Sequence, residues 1–247
     1  MDITVEHAGL TLRGVLEGTD TLENDTIAIL MHGFMGNRGY AKGELLYDLS
    51  HALNDSGIPT VRFDFSGCGQ SDGDVNEMTV PDQLIQGMEI VDFVRAKLKA
   101  KKIYLIGHSQ GGVDASMIAG AYDDVLEKLV LLAPAATLKS DALAGVCQGS
   151  TYDPKKIPLY VTVHDQKITG RYFRTAQLLP IYETAKHFIK PTLIMHGLAD
   201  QVVSPKASEK YHEVLSDNKL YLLPDDSHQL AVHRATVLQK VTEFLSK

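Results

Sequence analysis

The chain is 247 residues long, 44% hydrophobic and 22% charged, with a formal net charge of −7. That length suits one large α/β domain, or a domain with an insertion, and the apolar share supports a sizeable core. The acidic balance argues against nucleic acid or an anionic membrane as the main partner, since both require a basic face.

The two cysteines, Cys68 and Cys147, belong to no C-x-x-C or Cys/His cluster, so no zinc site is spelled. A single disulfide is compatible with them, but a reduced compartment is the simpler reading. The first ten residues, "MDITVEHAGL", carry neither a basic n-region nor an apolar h-region. No apolar run reaches transmembrane length. The expectation is a soluble, cytoplasmic protein.

In chain order, Ile3 to Val5 and Leu10 to Val15 flank "HAG" as a β-hairpin. Thr26 to Met31 is a continuous apolar run, as in a strand covered on both faces. A glycine-rich loop and a helix from Glu44 to Asn54 follow. "PTVRFDF" reads as a strand, closed by the loop "SGCGQSDGD". Helix-period apolar positions then run from Leu84 to Leu98, and Lys97 to Lys102 form a solvated helix end. "KIYLIG" is a buried strand, with a helix starting just after Ser109. "LEKLVLLAPA", "KPTLIMHG" and "KLYLLP" are further strands. A last amphipathic helix carries Val237, Val241, Phe244 and Leu245.

Alternating strands and helices imply a mostly parallel sheet with helices on both faces. The rhythm breaks over residues 137–188, which hold several prolines and Tyr152, Tyr160, Tyr172 and Tyr182. This stretch leaves the sheet between two buried strands and returns. It is expected to be an inserted lid or substrate-binding subdomain over the C-terminal edge of the sheet, where open α/β sheets bind ligands.

Gly107-His108-Ser109-Gln110-Gly111 matches G-x-S-x-G, which between a strand and a helix is a nucleophile elbow. The turn strains the serine and leaves no room for side chains two residues before and after it. The following helix points its N-terminus at the site and favours developing negative charge. The motif alone is moderately specific; its position after "KIYLI" and before "GVDASMIAGA" makes it far more so. Gly112 is expected to let the helix pack closely on the sheet.

A serine alcohol needs a base, usually a histidine held by a carboxylate. In "LIMHGLADQVV", Asp200 follows a late strand, and in "YLLPDDSHQLAVH", His228 follows the last one. Serine, aspartate and histidine thus occur in the order and in the loops this chemistry requires. Among rivals, His233 is placed about a turn and a half into the last helix. Asp225 and Asp226 lie too near His228 in sequence to face it well. His32, His108 and His196 are expected to be scaffold residues. The backbone N–H groups of Phe34, in "HGFMGNRG", and Gln110 are the expected oxyanion donors. Gly67, Gly69 and Gly73 resemble a weakened dinucleotide fingerprint, but spacing and position favour a structural turn.

At these residues the sequence resembles the α/β-hydrolase superfamily, and within it the bacterial cinnamoyl (feruloyl) esterases. The resemblance spans essentially the whole chain, through "HGF", "VRFDFSGCGQSDG", "YLIGHSQGGV", "LLAPAATLKSDAL", "QGSTYDP", "LPIYE" and "HGLADQVVSP". It implies hydrolysis of hydroxycinnamate esters (ferulate, caffeate, p-coumarate) without cofactor or metal. It also implies a pocket in which Asp141 and Tyr172, with Gln148 nearby, bind the ring hydroxyl. A helix cap for Asp141 and a core role for Tyr172 are the plainer readings. The chain departs from the resemblance at Cys68, where many relatives have His, and in the apolar "QLAVH" after His228.

The expected partner is a small-molecule aromatic ester; neither nucleic acid nor membrane is expected, and a homodimer is left open. Two alternatives stand beside the serine carboxylesterase. One is a broad-specificity short-chain acyl esterase or monoacylglycerol lipase. The other is a non-enzymatic hydrolase-fold binding protein, which an intact triad disfavours.

Overall fold

The computed structural model describes residues 1–247. A hairpin of β1 (Asp2–His7) and β2 (Leu10–Glu17) opens the chain. It is followed by β3 (Thr26–Met31), α1 (Leu45–Asp55), β4 (Thr60–Phe63), α2 (Val80–Ala96), β5 (Lys102–His108), α3 (Gln110–Ala121) and β6 (Leu126–Leu132). The chain then leaves the sheet. It forms α4 (Leu138–Ala144), a small hairpin of β7 (Val146–Cys147) and β8 (Ser150–Thr151), a second hairpin of β9 (Tyr160–Val163) and β10 (Gln166–Thr169), α5 (Gly170–Ala176) and α6 (Ile181–Ala185). It returns through β11 (Thr192–Gly197), α7 (Lys206–Val214), β12 (Asn218–Leu223) and α8 (Arg234–Leu245).

Eight strands form one sheet in the order β1-β2-β4-β3-β5-β6-β11-β12. The β1–β2 and β2–β4 pairs are antiparallel and all later neighbours parallel. The central strands are apolar throughout because both faces are covered. In β3, Ile27, Ile29 and Met31 join the core beneath α2 and α3, while Ala28 and Leu30 join the core beneath α1 and α8. Helix α2 starts where Thr79 Oγ1 accepts the Asp82 N–H, with Pro81 in its first turn. No helix is long and apolar enough to cross a membrane.

Asp64, at the exit of β4, ties two site-bearing loops together. Its buried carboxylate accepts from Arg38 N and Nη1, from Tyr40 OH and from Gln70 N, at 2.6 to 3.0 Å. The pair with Arg38 is tolerable in the interior because both carboxylate oxygens have donors. The "SGCGQSDG" loop is therefore a structural turn anchored to the loop after β3. Cys68 within it is buried and its thiol is pushed up to about 12, by burial first and then by Asp64. Both cysteines are free.

Two features differ from the sequence expectation. Helix α7 was not anticipated, although Ala207, Tyr211 and Val214 pack one stripe of it against the core. His233 is not inside the last helix but caps it, because Asp226 holds the preceding loop out of helical form. The Asp226 carboxylate accepts from the N–H groups of Ser227, Val232 and His233. Asp226 is thus a loop organiser, completely buried, while Asp225 is exposed.

Candidate active site

The C-terminal ends of β3, β5, β6, β11 and β12 converge on Ser109. The serine occupies the turn between β5 and α3 with φ 57° and ψ −124°, a conformation strained for any residue with a side chain. A Cβ on Gly107 would stand 2.0 Å from Gly111 O, and one on Gly111 would stand 2.4 Å from His32 O. Gly111 is therefore required by the neighbouring strand end as much as by the turn. A Cβ on Gly112 would stand 3.0 Å from Pro134 in the loop after β6 and 3.2 Å from Gly107 O on β5, so the glycine lets the helix approach both the sheet and that loop.

Ser109 Oγ lies 2.8 Å from His228 Nε2, and His228 Nδ1 lies 2.7 Å from Asp200 Oδ2. All three are nearly buried. Asp200 Oδ1 accepts the N–H groups of Val202 and Val203, both at 2.8 Å, and Oδ2 also meets His196 Nε2 at 3.1 Å. Burial opposes ionisation of Asp200. The hydrogen bonds from His196, His228 and Val203 more than offset it and hold the carboxyl well below its usual range.

The three scaffold histidines have separate tasks. His32 Nε2 accepts the Phe65 N–H while its Nδ1 donates to Gly33 O, fixing the loop after β3. His108 Nε2 donates to the His228 carbonyl at 2.9 Å, so the elbow itself holds the histidine loop. Burial first, then the neighbouring His228, brings the His108 imidazole down to about 4. His196 bonds Asp200 directly.

Among the loop, turn and cap hydrogen bonds, neither the Phe34 N–H nor the Gln110 N–H has a backbone acceptor. Both residues line a cavity with Ser109, and Asp141, Tyr172 and Gln148 line the same cavity. Its remaining wall is mostly apolar and includes Leu138, Val146 and Phe173. Asp141 sits within α4 rather than at its cap. Burial raises its carboxyl, opposed by the Thr137 hydroxyl. Tyr172 is both core and cavity wall: it is 2% exposed, and its hydroxyl donates to Gln110 Oε1 at 2.6 Å. Gln110 Nε2 in turn donates to Gln83 Oε1.

Gln148 occupies the tip of the β7–β8 hairpin with φ 44°, and its Oε1 accepts from His164 Nε2 at 2.7 Å. It borders a second, larger and mostly polar compartment on the other side of Ser109. Asn37, Glu44, His228, Gln229 and Arg234 help to line that space. The Arg234 guanidinium is spent on Asp48 and on the carbonyls of Gly43, Gln229 and Leu230. No group of three or more His, Cys, Asp or Glu side chains is arranged to hold a metal ion.

Fold and elbow together define an α/β-hydrolase. The chain belongs to the family described as serine aminopeptidase, S33, whose model matches residues 23–178. Human serine hydrolase BPHL is 25% identical over 97% of this chain and 86% of its own. A structure of Est1E from Butyrivibrio proteoclasticus with ferulic acid bound superposes with a TM-score of 0.92, at 29% identity, over 98% of this chain and 97% of that one. The monoacylglycerol lipase of Paleococcus ferrophilus shares the fold, with a TM-score of 0.72 at 21% identity over 95% of this chain and 98% of that one. The chain is a serine hydrolase.

Proposed function

We propose that this hydrolase is a carboxylesterase acting on hydroxycinnamate esters of the ferulate, caffeate and p-coumarate type. The observation that carries the reading is one cavity wall. Asp141, Tyr172 and Gln148 line the same mostly apolar space as Ser109. The similarity to Est1E, a protein seen with ferulic acid bound, supports it.

In this reading Ser109 Oγ attacks the ester carbonyl as His228 Nε2 takes its proton. Asp200 orients His228 and stabilises its charged form. The N–H groups of Phe34 and Gln110 hold the oxyanion. The imidazolium gives its proton to the departing alcohol, leaving an acyl-enzyme. Water, deprotonated by His228, attacks that ester; the acid departs and Ser109 recovers its proton. Asp141 accepts the ring hydroxyl. That hydroxyl has a single proton and the Tyr172 proton is committed to Gln110, so Tyr172 shapes the wall beside the ring while Asp141 takes the hydrogen bond. Residues 137–188 act as the lid or substrate-binding subdomain that supplies this wall.

The test compares kcat/KM across methyl hydroxycinnamates and aliphatic p-nitrophenyl esters, with Ser109→Ala as control. The expected result is a clear preference for the hydroxycinnamates and loss of turnover in the variant. Equal or better use of butyrate would instead identify a short-chain acyl esterase. Undiminished turnover in Ser109→Ala would remove the serine mechanism.

A further inference from the structure

Asp200 is gripped from two sides, and only one grip belongs to the triad. His196 ends β11 next to Gly197, with its side chain completely buried. Its Nε2 lies 3.1 Å from both Asp200 Oδ2 and Val203 O, while its Nδ1 lies 2.7 Å from Ser208 Oγ on α7. A carboxylate and a carbonyl only accept, so Nε2 carries the proton. In the neutral ring Nδ1 is then bare, and the Ser208 hydroxyl donates to it. Asp200 and Val203 thus set the tautomer, and Ser208 satisfies the remaining nitrogen and holds the ring from behind.

Asp200 Oδ2 consequently receives two imidazole N–H groups, from His228 at 2.7 Å and from His196 at 3.1 Å. Oδ1 is filled by the Val202 and Val203 N–H groups. With all four donors present the carboxylate has one orientation and its charge is shared.

We infer that His196 is a positioning residue of the active site: by drawing on Asp200 Oδ2, it fixes the carboxylate and sets how strongly His228 is held as a base. This rests on the triad reading of Ser109, His228 and Asp200. A donor on a carboxylate lowers its basicity. Without the His196 N–H, Asp200 stabilises the imidazolium of His228 more strongly, and the base stays protonated to higher pH. The other groups around His228 are independent of His196. His108 donates to the His228 carbonyl, Arg234 is bound to Asp48 and three carbonyls, and the Asp226 carboxylate is occupied by its own loop.

The experiment is the pH profile of kcat/KM for p-nitrophenyl butyrate in wild type, His196→Leu and His196→Gln. A glutamine amide reaches as far as Nε2 and can still donate. His196→Leu is expected to move the acid limb up by about half a unit to one unit. It should also lower kcat roughly tenfold through loss of orientation. His196→Gln should restore the wild-type limb. Unchanged limb and kcat in His196→Leu would overturn the inference, as would a His196→Gln variant equally impaired. If His196→Leu does not fold, Ser208→Ala removes only the hydroxyl that anchors the far side of the His196 ring and should show the same shift in smaller measure. A wild-type profile there overturns the role. Ser109→Ala, assayed in parallel, keeps the two readings apart. Turnover surviving in it sinks the triad. A dead Ser109→Ala beside an unaltered His196→Leu sinks only His196.

Discussion

Ser109 stands between two spaces of opposite character. On one side is the smaller, mostly apolar cavity, walled by α4, α5 and the β7–β8 hairpin. On the other is the larger polar compartment, walled by the loop after β3 and the loop carrying His228. The small side has few polar groups; the large side has many. Such a contrast predicts tight selection of the acyl group and tolerance of the alcohol.

The strongest way to break that contrast is at Asp141. Asp141→Ala should lower kcat/KM for ferulate esters by about tenfold to a hundredfold, the usual worth of a charged hydrogen bond. Butyrate esters should be nearly unaffected. Equal losses on both would show that the cavity wall does not read the ring hydroxyl. Gln148 tests the partition itself, because it borders both spaces. Gln148→Ala should cost a few-fold on hydroxycinnamates and further flatten the response to alcohol size in a panel of ferulate esters. An unchanged response and unchanged hydroxycinnamate turnover would mean that Gln148 gates neither side.

The smallest expected effect on catalysis comes from Asp114, on α3. It is completely buried and neither carboxyl oxygen has a protein partner. Burial raises its carboxyl well above the ordinary range. A raised acid is fully compatible with the fold below its unfolded value and becomes a liability as pH rises towards its folded value. Asp114→Leu should therefore stabilise the protein by about 1–3 kcal/mol at pH 8, and less at pH 4. Denaturant midpoints at the two pH values measure this. A larger gain at the acid end would contradict the sign, and changed selectivity would show that the group reaches the cavity.

The sheet was legible in the sequence because its central strands are buried on both faces and read as unbroken apolar runs. Ser109, Asp200 and His228 were legible because each follows a strand in a loop whose place is set by topology. Their company was less so. Helix α7 carries Ser208, Lys210 and His212 among its apolar positions, which blurred its stripe. His233 was misplaced because nothing local in "SHQLAVH" reveals that Asp226 captures two backbone N–H groups across the loop. His196 reads only as scaffold in the sequence, since its direct bond to Asp200 depends on how the turn after β11 folds back and is not spelled by any motif.

One arrangement bears on how such an enzyme could be redesigned. The Tyr172 hydroxyl in the proposed acyl wall is bonded to the side chain of Gln110, whose own backbone N–H is the proposed donor to the oxyanion. In that reading a single residue couples the cavity wall to the oxyanion site. New acyl preferences selected through Tyr172 should arrive with slower turnover and require compensation near Gln83. New alcohol preferences, drawn from the loops of the larger compartment, carry no such tie. The molecule should diversify more readily in what it releases first than in what it holds as the acyl-enzyme.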